Sequence, residues 1–200
     1  DFRMQALTWL HGKHIDSVLL THSHYDHVGG LDDLRPFCKD SPLRLYASPI
    51  CLNQLKRSLP YCFQSLDSPR VPHFKTIGVE AGNSFQVGNT EVVPLLAWHG
   101  EMPVLGFRIE EFAYLTDFRK LPESTMQQLQ GIKHLVVGAL HFHQHPTHLS
   151  VDEAISLGRS LNVKSTFLVH MSHRVGLHSA TQRVLPENVF LAYDGMTVEL

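Results

Sequence analysis

The sequence predicts an α/β layered domain, and three observations carry that prediction. Short apolar runs bounded by turn residues alternate with amphipathic stretches. The middle of the chain changes to strands broken by glycine-containing pairs, the pattern of hairpins. The last third alternates helix and strand signals, the pattern of crossovers between layers.

The elements follow in order. Val18-Leu19-Leu20, within Ile15–Thr21, is a short buried strand. It leads through residues 22–27 to Val28-Gly29-Gly30 and a helix expected over Leu31–Phe37. Leu43–Ala47 is a strand, and Pro49 sits at the first turn of an amphipathic helix, where its missing N–H costs nothing, running to about Leu59. From Val71 to Thr116 short strands are separated by Gly82-Asn83, Gly88-Asn89 and Gly100. Pro122 opens a helix to about Leu129, and Leu135-Val136-Val137 is a buried strand. Ser150 caps a helix over Val151–Leu161, with Glu153 at the third helical position completing a capping box. Thr166–Val169, Val189–Ala192 and Met196–Leu200 are the last strands. There is no internal repeat, low-complexity tract or linker, so residues 1–200 read as a single domain.

Composition narrows the function classes. The 200 residues are 43% hydrophobic and 18% charged, which suits a packed core and excludes disorder. No apolar run approaches the roughly 20 residues a membrane helix needs, and no signal-peptide pattern opens the chain. Lys+Arg 17 against Asp+Glu 19 gives a net charge of -2, which argues against a polyanion partner for the chain as a whole. Cys38, Cys51 and Cys62 lack metal-knuckle spacing and fit a reduced cytoplasm, with Cys51 and Cys62 as core fillers. Trp9 and Trp98 read as packing residues, with Trp98 beside His99. The histidine count of 15 is out of line, and most fall in clusters, which points to metal binding or proton transfer.

In the extended stretch after the first strand, His22 and His24 project to the same side. The following turn brings Asp26 and His27 round towards a second metal. Imidazole and carboxylate donors suit zinc, manganese and iron(II). Gly29-Gly30 lets the backbone pass close by.

The run Thr-His-Ser-His-Tyr-Asp-His-Val-Gly-Gly-Leu at residues 21–31 resembles the His-x-His-x-Asp-His signature of the metallo-β-lactamase superfamily. The resemblance covers nearly the whole chain and implies an αββα sandwich, here lacking its first strands and so N-terminally incomplete. It also implies a two-metal site with further ligands at His99, Asp117 and His170, each ending an apolar run. By resemblance, metal one takes His22, His24 and His99, and metal two takes Asp26, His27 and His170, with Asp117 bridging. Asp26 also stands in the catalytic set. Coordination positions stay open for water and substrate, as catalytic sites require, which implies hydrolysis by a hydroxide held between two divalent ions. His148 is the expected proton donor to the leaving group. His141, His143 and His145 alternate in an extended segment, lining a substrate mouth or facing solvent. His173 and Arg174 are candidates for a phosphate contact or a structural role.

Within the superfamily, Asp117 stands where many true β-lactamases carry a cysteine. His-Leu-Ser-Val before a helix, and then Phe-Leu-Val-His-Met-Ser-His-Arg, are similar to the PhnP-like phosphodiesterases of the carbon–phosphorus lyase pathway, as is the opening Asp1-Phe2-Arg3. The expected substrate is a small cyclic or linear phosphodiester rather than nucleic acid, with no membrane partner and a homodimer compatible with the pattern. Two other readings compete: a glyoxalase-II-like thioesterase, which would carry an extra helical domain, and a non-catalytic metal-binding module. Dinuclear iron redox chemistry is a weaker third.

Overall fold

The computed structural model describes residues 1–39, 41–63 and 70–199. They form two compact units, Asp1–Glu80 with Phe85–Asn89, and Ala81–Ser84 with Thr90–Leu200.

In the first unit, helix α1 (Phe2–Trp9) is capped by the Asp1 carboxylate, which accepts the Met4 N–H at 3.0 Å. Trp9 at its end is 44% exposed and does not pack as expected, because no residue of α1 is buried. Strand β1 (Ser17–Leu19) is followed by a short helix α2 (Tyr25–Val28). Asp32–Cys38 is a 3₁₀ helix, where a helix over Leu31–Phe37 was expected; Pro36 inside it has no N–H to offer an α-helical ladder. Strand β2 (Leu43–Ala47), helix α3 (Pro49–Ser58) and strand β3 (Phe74–Gly78) fall where the sequence indicated, with the Ser48 hydroxyl capping α3 through Cys51 N–H. The three strands are parallel with β2 central, Val18 facing Leu45 and Leu45 facing Thr76. Leu20, Leu31, Leu34, Leu45, Leu52 and Leu55 form the core beneath them. Strand β4 (Phe85–Val87) places Phe85 against Tyr46, rings stacked at 4.6 Å. All three cysteines are free and buried, and burial pushes the Cys51 thiol up to about 11, so the core-filler reading of Cys51 and Cys62 stands.

The second unit is built on strands β5 (Thr90–His99), β6 (Met102–Ile109) and β7 (Phe112–Leu115), antiparallel in succession. Gly100 makes the first turn in the left-handed region, φ 62°. Helix α4 (Glu123–Gln128) leads to β8 (His134–Gly138), helix α5 (Val151–Ser160) to β9 (Ser165–Val169), and helix α6 (His178–Gln182) to β10 (Val189–Leu191). From β7 to β10 each neighbour is parallel. Because β5 and β7 both oppose β6, strands β5, β7, β8, β9 and β10 all run the same way, and their carboxyl ends share one edge, where α/β sheets place ligands.

Leu95, Leu115, Leu135, Val137 and Leu168 are wholly buried, with Val151, Ala154 and Ile155 of α5 laid against them. Leu135→Ala is expected to cost about 2–5 kcal/mol, read as a lower denaturant midpoint at unchanged slope. The expected final strand is not formed: residues 196–199 belong to no strand, and Leu200 lies outside the described residues. Gly195, at φ 87°, turns the chain after β10 and breaks the extended path. Among the described residues, no helix is long and apolar enough to cross a membrane.

Candidate metal centre

The end of β1 delivers one group of donors. His22 is 3% exposed, and its Nδ1 lies 3.0 Å from the Thr21 hydroxyl, which orients the ring and leaves Nε2 as the donor for a cation. The residue before α2, His24, is extended at φ -62°, ψ 144°, and α2 then carries Asp26 and His27. The rings of His24 and His27 stand 4.6 and 4.3 Å from that of His22, so the structure brings these three together. Asp26 Oδ2 is 3.4 Å from His27 Nε2, and its side chain is 63% exposed.

The carboxyl edge of the second unit's sheet delivers the other group. His99 is the last residue of β5, Asp117 follows β7 by two residues, and His170 follows β9 directly. His148 lies in the segment between β8 and α5. His170 Nε2 is 2.8 Å and His148 Nδ1 3.6 Å from Asp117 Oδ1. The His148 ring is 4.8 Å from that of His99 and stacks on that of His170 at 5.3 Å. His99, Asp117 and His148 each offer a ligand atom, all within 4.8 Å of one another. His99 Nδ1 lies 3.2 Å from the Thr147 carbonyl, which only accepts, so Nδ1 carries the proton and Nε2 the lone pair a metal needs.

Backbone strain marks the same place. Asp117 and His170 adopt φ 49° and 58°, sparsely populated for residues other than glycine and held here by the surrounding sheet. Gly138, at the end of β8, makes room for the first of them: a Cβ there would sit 3.2 Å from Asp117 N and 3.3 Å from Thr116 Cα. Gly138→Ala is expected to push the Asp117 turn outward, costing about 1–3 kcal/mol in unfolding and weakening metal binding in a titration; unaltered affinity would show the turn to be pliant.

Burial pushes His148 down to about 4, helped by the neighbouring His99, His170 and His145 rings, with Asp117 pulling the other way. The ring is therefore neutral at pH 7 in the metal-free protein. His141, His143 and His145 do not alternate along an extended strand as expected. His141 is buried with Nδ1 2.9 Å from the His143 carbonyl, a local bond that bends the segment and gathers the rings 5.8 and 6.0 Å from that of His141. His145 contacts the His148 ring at 4.9 Å. His173 and Arg174 are exposed on a 3₁₀ turn. Trp98 is half-buried beside His99. Arg119 was not singled out in the sequence; its guanidinium lies 2.8 Å from Glu153, and its position two residues after Asp117 was the only available signal.

Imidazole nitrogens with a buried carboxylate are the donor set of zinc, manganese and iron sites, so these residues fit a divalent metal. Residues 1–171 match the β-lactamase superfamily domain. A Porphyromonas gingivalis (strain ATCC BAA-308 / W83) protein named octanoyltransferase is 36% identical over 197 residues; the match takes in 98% of this chain, which spans 40% of that protein's length. The crystal structure of a diphosphatase of the PhnP family superposes with a TM-score of 0.86 at 35% identity, over 98% of this chain and 74% of the other. The short form of human tRNase Z gives 0.66 at 18% identity, over 92% and 79%, a likeness of fold. The histidine signature, the donors at the strand ends and the family match agree: the chain belongs to the metallo-β-lactamase superfamily and has the fold of its metal-dependent hydrolases.

Proposed function

We propose that the protein hydrolyses small cyclic or linear phosphodiesters with two divalent metal ions, of zinc, manganese or iron. By the resemblance, His22, His24 and His99 would hold one ion and Asp26, His27 and His170 the other, with Asp117 available to both. The observation that carries this reading is the gathering of His99, Asp117, His148 and His170 at one sheet edge, two of them on strained backbone. The 35% identity to a diphosphatase supports chemistry at phosphorus. Bound divalent cations supply Lewis-acid polarisation of a phosphoryl oxygen and acidify water.

The chain's own groups do the rest. The Thr147 carbonyl fixes the His99 tautomer. His148 gives a proton to the leaving oxygen. Its ring rests neutral, so the negative charge of a bound diester must raise its proton affinity first. Net charge -2 favours a small substrate over nucleic acid, and three free cysteines suit the cytoplasm.

Metal-free protein reloaded with Mn²⁺ or Zn²⁺ is assayed on bis(p-nitrophenyl) phosphate beside a thioester. Metal-dependent turnover of the diester is expected. Thioester cleavage alone would move the protein to a glyoxalase-II-like class, and acyl chemistry would then also connect it with the octanoyltransferase it resembles over 40% of that protein. Inactivity on both, with metal bound, would leave a metal-binding module.

A further inference from the structure

Glu153 completes the capping box of α5: its N–H donates to Ser150 Oγ at 3.3 Å, and its Oε2 accepts the Ser150 N–H at 2.8 Å. A cap needs no more than that. The other oxygen, Oε1, lies 2.8 Å from Arg119 Nη1, with both side chains mostly shielded, at 29% and 28% exposure. Ser150 stands two residues after His148, and Arg119 two residues after Asp117. The Arg119 N–H donates to the Trp98 carbonyl at 2.7 Å, and the Trp98 N–H to the Lys120 carbonyl at 2.9 Å, immediately before His99. One carboxylate thus joins the segment bearing His148 to the turn bearing Asp117, and through the arginine's backbone to the end of β5.

We infer that the Arg119–Glu153 pair is a positioning device for His148, holding residues 146–150 against the Asp117 turn so that the imidazole faces the leaving group. Neither residue is catalytic. Burial works to raise the Glu153 carboxyl, but the Ser150 N–H and the Arg119 guanidinium outweigh it and hold it below the usual range, so the pair is charged and its hydrogen bonds are of the stronger, charge-assisted kind. The activity part of the test rests on the phosphodiesterase reading, whereas the spectroscopic part does not.

Arg119→Met removes the pair, Arg119→Lys keeps only the charge, and Glu153→Gln keeps an oxygen for the Ser150 N–H, so that α5 stays capped. In metal-free protein, Arg119→Met is expected to shift the His148 ring ¹⁵N resonances and speed Ser150 amide exchange at least tenfold, with the Leu135 and Leu168 amides unchanged. In protein reloaded with Mn²⁺, kcat is expected to fall at least tenfold more for an alkyl phosphodiester than for bis(p-nitrophenyl) phosphate, because a poor leaving group depends on the proton donor. KM stays within twofold, Arg119→Lys recovers part of the loss, and the Arg119→Met/Glu153→Gln double variant loses no more than either single change. Unmoved His148 resonances would overturn the inference. So would an equal loss on both diesters, which is the mark of a merely structural effect. If wild-type protein cleaves no diester, the functional reading fails, and the resonances and exchange rates alone decide for or against the positioning pair.

Discussion

Asp117→Asn is expected to remove metal binding and hydrolysis together. The carboxylate is 3% exposed and lies 2.8 Å from His170 and 3.6 Å from His148, so it is a buried anionic donor among three imidazoles, those of His99, His148 and His170. The amide keeps the shape and loses the charge that draws a cation into a shielded site. Asparagine tolerates the left-handed backbone almost as well as any residue with a side chain, so the φ of 49° gives no reason for the variant to unfold. Metal content per chain, by atomic emission, is expected to fall by at least half. Diester turnover should drop by roughly a thousandfold or more, about 4 kcal/mol of transition-state stabilisation. A variant with full metal and full activity would take Asp117 out of the ligand set.

His148→Ala is expected to lower kcat at least about a hundredfold, the scale of a general acid, while both metals stay bound. Metal content is the discriminating reading, because His99, Asp117 and His148 could themselves grip an ion. Loss of one metal in this variant would make His148 a ligand rather than a proton donor. The same residue should show in stability. Its folded-state value of about 4 lies below the 6.5 of the unfolded chain, so between those values the unfolded state binds more protons. Stability of the metal-free protein is therefore lost as pH falls from about 6.5 towards 4, and His148→Ala should flatten that part of the thermal-midpoint profile. An identical profile in both proteins would mean that the ring is not held neutral by burial.

Much of this was legible residue by residue. Leu43–Ala47, the proline-started α3 and the Ser150–Glu153 cap appear as expected, because each rests on signals within a few residues of itself. The histidine signature was legible for the same reason: alternation in an extended stretch and one turn suffice to gather His22, His24 and His27. Where a single local bond or residue overrode the pattern, the expectation failed. Pro36 tightened an expected helix to 3₁₀, the His141–His143 contact bent an expected extended segment, and Gly195 ended the chain's last extended run.

The sequence by itself singled out the side chains that are candidates for the chemistry, and put His99, Asp117 and His170 each at the end of an apolar run. Only the tertiary structure decided that these strand ends meet. His99 reaches the Thr147 carbonyl across 48 positions because β5, β7, β8 and β9 share a direction, and parallel crossovers return every carboxyl end to one edge. The tertiary structure alone also decided that His148 is neutral and that Arg119 meets Glu153. Burial and long-range pairing depend on what the rest of the chain packs around a residue, which no local pattern encodes.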